Sequence, residues 1–242
     1  MAMLIPIKDI NPHKRFPIVT VVLIAANVFT ALATNSLLGL GDQEAFQYGA
    51  LPCDLTNQCP PLGRFEGIVE SRSPYLSVLT SMFMHGDALH LGFNMLFLWV
   101  FGNNVEDRLG RIGFPIFYLA TGIAAVLAHV AVSPDSFIPM VGASGAISGV
   151  LGAYAVLWPR AKIISILPLG FFFTSIRTPA WVTLGLWFVV QIFGGLAGLG
   201  QIAGGGTAYL AHIGGFVAGV ALIIPIRLFG DREPGRAVDR LN

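Results

Sequence analysis

The chain has 242 residues, 55% of them hydrophobic and only 11% charged, with a formal net charge of +1. A soluble domain of this length would carry about 25% charged residues, so a water-soluble globule is excluded, and so small a net charge points away from nucleic acid as a partner. Five histidines and two cysteines are too few and too scattered for a metal site, and no cofactor is expected.

Long uncharged runs alternate with charged breaks, the pattern of a polytopic helical membrane protein. After a cytoplasmic N-terminal segment (1–15), Phe16 to Leu40 forms the first run. Lys14-Arg15 and Ala31-Leu32-Ala33 imitate a cleavable signal peptide, but the apolar stretch continues to Leu40, so a retained helix is the better reading. An outer loop over about 41–87 follows. Ala88 to Val105 and Ile112 to Pro134 are the second and third runs, and Ser136 to Pro159 is the fourth. Ile163 to Ile176 is short and interrupted by Pro168-Leu169-Gly170, and reads as an interfacial or re-entrant connector. Thr178 to Ile226 is uncharged throughout, and its glycines between Gly194 and Gly206 divide it in two. At ~20 residues per crossing these runs predict an all-α bundle of six transmembrane helices over 16–229, with a short tail over 230–242.

Basic residues set the orientation. With the N-terminus cytoplasmic, all lysines and arginines except Arg64 and Arg72 fall on the cytoplasmic side, as the positive-inside rule requires, and both termini lie inside.

Polar side chains inside such runs are costly unless they are used or satisfied. Ser144 stands in Gly142-Ala143-Ser144-Gly145 and His212 in Ala211-His212-Ile213-Gly214. Their helices both enter from the outside, and at 1.5 Å per residue both side chains lie roughly 7–10 Å below the outer boundary. A serine beside an imidazole is the minimum for nucleophilic acyl transfer. Gly145, Gly149 and Gly152 on one helix and Ala211, Gly215 and Gly219 on the other repeat every three or four residues, as small-residue contacts between membrane helices do. Taken alone, those glycines read better as a packing seam. On the second helix His90 and Asn94 share a face at i, i+4, with Asp87 placed to cap the helix. They read either as oxyanion donors or as plain interhelical hydrogen bonds.

Three motifs in this order, His90-x-x-x-Asn94, Gly142-x-Ser144-Gly145 and Ala211-His212-x-x-Gly215, make the chain resemble a rhomboid intramembrane serine protease from about Ile5 to Leu228. The resemblance implies Ser144 as nucleophile and His212 as base, with no carboxylate third member. It implies an oxyanion hole from the Ser144 N–H, His90 and Asn94. It also implies a structural role for the polar cluster around Glu106 and Arg108, and transmembrane-helix proteins as substrates, unwound near their outer ends within membrane lipid. The fifth helix, with Trp187 and Gln191, would be the substrate entrance. Two departures stand out. Ser148 occupies the place four residues after the nucleophile where many rhomboids carry an aromatic ring. Pro74-Tyr75-Leu76-Ser77-Val78 lacks the Trp-Arg of the family's outer loop.

Cys53 and Cys59 bracket five residues of the outer loop, where an oxidising compartment favours a disulfide. A compact six-helix core suggests a bacterial plasma membrane. The alternative functions are a client-binding pseudoenzyme, a transporter and a structural subunit. Against these, both Ser144 and His212 are present, and no inverted repeat or deeply placed charge is seen.

Overall fold

The computed structural model describes residues 4–11, 14–169, 172–198 and 208–229. Its frame is helical. Helix α1 (Ile18–Ala33) is followed by four short outer-loop helices, α2 (Asp42–Tyr48), α3 (Pro52–Leu55), α4 (Glu66–Glu70) and α5 (Pro74–Thr80). Helix α6 (Ala88–Phe97) runs through a π turn (Leu98–Gly102) into α7 (Asn103–Val132). The bundle is completed by α8 (Ser144–Leu157), α9 (Ala180–Gly198) and α10 (Tyr209–Phe229).

Among the described residues three stretches are long and apolar enough to cross a bilayer, Ala88–Val132, Ala180–Ala197 and Tyr209–Phe229, while Ile18–Ala33 and Ser144–Leu157 are shorter apolar helices. The first stretch is broken at Gly110, whose backbone (φ 75°, ψ 172°) leaves helical space in a region L side chains avoid. Large apolar side chains stand exposed along α1, α7, α9 and α10, among them Phe29, Ile112, Phe193 and Leu222. Such a surface would be an aggregation hazard in water and suits lipid. The chain is an integral membrane protein.

At the centre lies α8, with nine consecutive residues, Ala146 to Tyr154, buried. A helix buried on every side belongs in the interior of a bundle, and α8 is flanked by α7 and α10. The approach is close because the contacts are made by glycine. A β-carbon on Gly215 would strike the Gly145 carbonyl, and one on Gly219 the Gly149 carbonyl.

The all-α expectation needs correction, because the residues 5–10 and the connector 163–176 pair. Strands β1 (Ile5–Ile10), β2 (Lys162–Leu169) and β3 (Phe172–Pro179) form an antiparallel sheet in the order β1-β2-β3. Ile10 faces Lys162, and Ile163 faces Thr178. Runs of isoleucine are as good a strand signal as a lipid-facing one, and length alone does not separate the two. One sheet face, carrying Pro6, Ile163 and Ser165, is buried against the bundle. From it Asp9 accepts hydrogen bonds from Asn104 Nδ2 (2.7 Å) and the Tyr154 hydroxyl (2.8 Å).

The polar cluster after the second run ties elements together at this same end. Glu106 accepts from the Val19 and Thr20 N–H groups (2.9 and 2.8 Å) and the Thr20 hydroxyl (2.8 Å), satisfying the free donors at the start of α1. Arg108 donates to the Ile226 carbonyl near the end of α10 (2.9 Å). The tail over 230–242 and most of the glycine-rich stretch between Gly194 and Gly206 lie outside the described residues.

Candidate active site

Ser144 is the first residue of α8, so no helical turn precedes it as the sequence-based depth assumed. The chain from Ser136 to Ala143 is non-helical, because it is held from outside. Ala50 and Met140 exchange both backbone hydrogen bonds (3.0 and 2.8 Å), and Gly142 N–H donates to the Ser81 carbonyl (2.9 Å). Gly142 then turns with φ 128°, which glycine alone adopts without strain, and delivers Ser144 to the helix start. A first-turn N–H has no intrahelical acceptor, so the Ser144 N–H is available beside its own hydroxyl.

His212, on the first turn of α10 and mostly buried, places Nε2 2.8 Å from Ser144 Oγ. Its Nδ1 lies 2.8 Å from Gln191 Oε1 on α9. An amide oxygen only accepts, so Nδ1 carries the proton and Nε2 presents its lone pair to the serine hydroxyl. Trp187 and Tyr209 complete the surroundings of the imidazole, with ring centroids 6.1 and 6.5 Å away. Ser148, where an aromatic ring was absent from the sequence pattern, donates back to the Ser144 carbonyl (2.6 Å). Gln191, expected on the entrance helix, has its side chain buried and facing the histidine.

The second helix brings its pair to the same place. Asp87 accepts from the His90 N–H (2.8 Å) and caps α6. Gly86 N–H donates to His90 Nδ1 (3.3 Å), which leaves the proton of a neutral ring on Nε2. That nitrogen lies 2.9 Å, and Ser144 Oγ 3.4 Å, from the point where a β-carbon on Gly142 would sit. A side chain at 142 would thus fill the space between His90 Nε2 and Ser144 Oγ. Asn94 is buried, and its Nδ2 has no hydrogen-bond partner. An unpartnered buried amide costs free energy that a bound acceptor would recover. Next to Ser144 lies a small open pocket walled by Met82, Gly122, Ala125, Val141 and Ala211 among others.

The segment between α1 and α6 supports the site at a distance. Cys53 and Cys59 are joined by a disulfide, and Cys53 N–H donates to the Ser136 carbonyl (3.0 Å). Arg72, two residues before the stretch that lacks the Trp-Arg pair, is a structural residue that the sequence reading passed over. It is buried, pairs with Asp54 (3.0 Å) and donates to the carbonyls of Phe46 and Gly49. The signal available in the sequence was that Arg64 and Arg72 are the only basic residues left outside. His85 is fully buried with its ring edge-on to His90, centroids 5.2 Å apart.

Comparison with known proteins agrees in one direction. A Rhomboid domain model matches residues 72–229. The mitochondrial rhomboid protein 1 of Saccharomyces cerevisiae is 35% identical over 153 residues, which is 60% of this chain and 40% of that protein. The chloroplastic rhomboid-like protein 11 of Arabidopsis thaliana is 34% identical over 154 residues, 60% of this chain and 50% of that protein. Rhomboid protease GluP of Bacillus subtilis is 33% identical over 163 residues, 67% of this chain and 29% of that protein. The chain thus spans half or less of these relatives. Two of the three are organellar, so the likeness does not support the expected bacterial plasma membrane. With the family model covering well over half its length, the chain belongs to the rhomboid family.

Proposed function

We propose that this chain is an intramembrane serine endopeptidase with Ser144 as nucleophile and His212 as general base. The observation that carries the reading is the 2.8 Å contact between Ser144 Oγ and His212 Nε2, a nitrogen left able to accept when Nδ1 donates to Gln191 Oε1. In this reading Ser144 Oγ attacks a substrate carbonyl carbon while His212 Nε2 takes the hydroxyl proton. Negative charge gathers on the carbonyl oxygen beside the Ser144 N–H, His90 Nε2–H and Asn94 Nδ2, three donors preorganised in a low-dielectric site. Collapse breaks the C–N bond, and His212 Nε2–H protonates the leaving amine. Water, activated by the same histidine, then releases the acyl group and regenerates Ser144.

Substrates are transmembrane-helix proteins, since the nucleophile sits among membrane-embedded helices. In this reading the six runs form six crossings over 16–229. The sheet, Glu106, Arg108 and Arg227 lie at the cytoplasmic end and the disulfide loop at the outer end. The clustering of Lys8, Arg15, Arg108, Lys162, Arg177 and Arg227 on the elements of one end supports that orientation.

Labelling with a fluorophosphonate probe tests the chemistry without any assumed substrate. Purified protein is expected to label at Ser144 by peptide mapping, and His212→Ala to lose the label. Stoichiometric label on another residue, or folded protein that never labels, would overturn the assignment. The latter result would favour a client-binding pseudoenzyme.

A further inference from the structure

The geometry points to Gln191 as the positioning residue of the site, holding His212 in its base tautomer through a neutral carboxamide; this rests on the dyad reading above. Gln191 is one of the few polar side chains of α9, and a carboxamide at membrane depth is costly unless satisfied at both ends. Both ends are satisfied here. Nε2 donates to the Trp187 carbonyl one turn earlier (3.3 Å), and Oε1 meets His212 Nδ1 at 2.8 Å. The first contact matters as much as the second. An amide can present oxygen or nitrogen, and only oxygen toward Nδ1 places the histidine proton there and leaves the Nε2 lone pair facing Ser144. The Trp187 carbonyl, able only to accept, selects the productive end. A histidine held in the wrong tautomer loses up to ~10⁴-fold in rate in triad enzymes. A carboxylate would also hold the tautomer, but it would put a formal charge in a site with no cation beside it among the described residues. Gln191 therefore fills the position a triad acid would take and leaves the site neutral.

Gln191→Met keeps the length of the side chain and removes the acceptor. Gln191→Glu keeps the acceptor and removes the donor that meets Trp187. In proteoliposomes carrying a transmembrane substrate, the methionine variant is expected to lose about tenfold or more in kcat with KM nearly unchanged. Fluorophosphonate labelling of Ser144 should slow by a similar factor. The glutamate variant is expected to keep much more activity than the methionine variant. A side chain that merely packs α9 against α10 would behave otherwise, since Met and Glu would then fall together. Such a joint fall, or a methionine variant with wild-type kcat and labelling rate, overturns the proposal. Ser144→Ala in parallel separates the two claims: if it still cleaves, the dyad reading is what failed.

Discussion

At the scale of single residues, the site is a set of proton positions. Gln191 fixes the proton on His212 Nδ1, Gly86 fixes it on His90 Nε2, and Asn94 Nδ2 is left without a partner. A donor that waits unpaired for the transition state should act on kcat. Asn94→Ala is expected to lower kcat about 10²-fold and leave KM close to wild type, in steady-state assays on a transmembrane substrate. A change confined to KM would make Asn94 a ground-state contact. His85 yields a different prediction. Burial, with a smaller effect of His90, holds its imidazole down to about 4 from an ordinary 6.5. The unfolded chain therefore binds more protons between those values, so stability is undiminished above pH 6.5 and declines as pH falls toward 4. The loss amounts to about 3 kcal/mol at its full extent. Thermal unfolding in detergent across that range should fall more steeply for wild type than for His85→Leu. The meeting of Ser144 with His212 was legible in the sequence because each sits among glycines and alanines in an apolar run. The partner of the histidine was not, because a glutamine in a helix gives no sign of which neighbour it meets.

At the scale of elements, close approach of α8 and α10 brings Ser144 to His212, and glycine makes that approach possible. The obstacle to a side chain at Gly219 is the Gly149 backbone, which cannot rotate away. Gly219→Val is expected to cost about 3 kcal/mol, the upper end of overpacking penalties, and to reduce activity in step with folded protein. Gly185→Ala on α9, where a β-carbon meets nothing, is the control and should unfold with wild type. Thermal unfolding of the two variants checks this. The small-residue spacing was readable beforehand, but the start of α8 was not. An apolar run from Ser136 onward looks helical until the outer loop is known to take its backbone hydrogen bonds, as Ala50 and Cys53 do. The sheet was hidden for a related reason: β1 and β2 lie more than 150 residues apart, and pairing at that distance leaves no local trace beyond isoleucine-rich runs.

For the whole molecule, function follows from holding a polar site within a lipid-facing bundle. The disulfide loop and Arg72 brace the entry to Ser144 at one end. The sheet, Glu106 and Arg108 fasten α1, α7 and α10 at the other. Charge patterning announced the membrane and the end that carries the cations, since both depend on composition. The number of helices long enough to span was less legible, because α1 and α8 are shorter than the apolar runs containing them. The central claim is that this scaffold cuts transmembrane helices with Ser144 and His212. The most direct test reconstitutes wild type, Ser144→Ala and His212→Ala at matched folded amounts in liposomes with a fluorescent transmembrane substrate, and follows the cleaved fragment. Cleavage by wild type alone is the predicted result. Cleavage that persists in Ser144→Ala, or its absence in folded wild type over a panel of such substrates, would contradict the account.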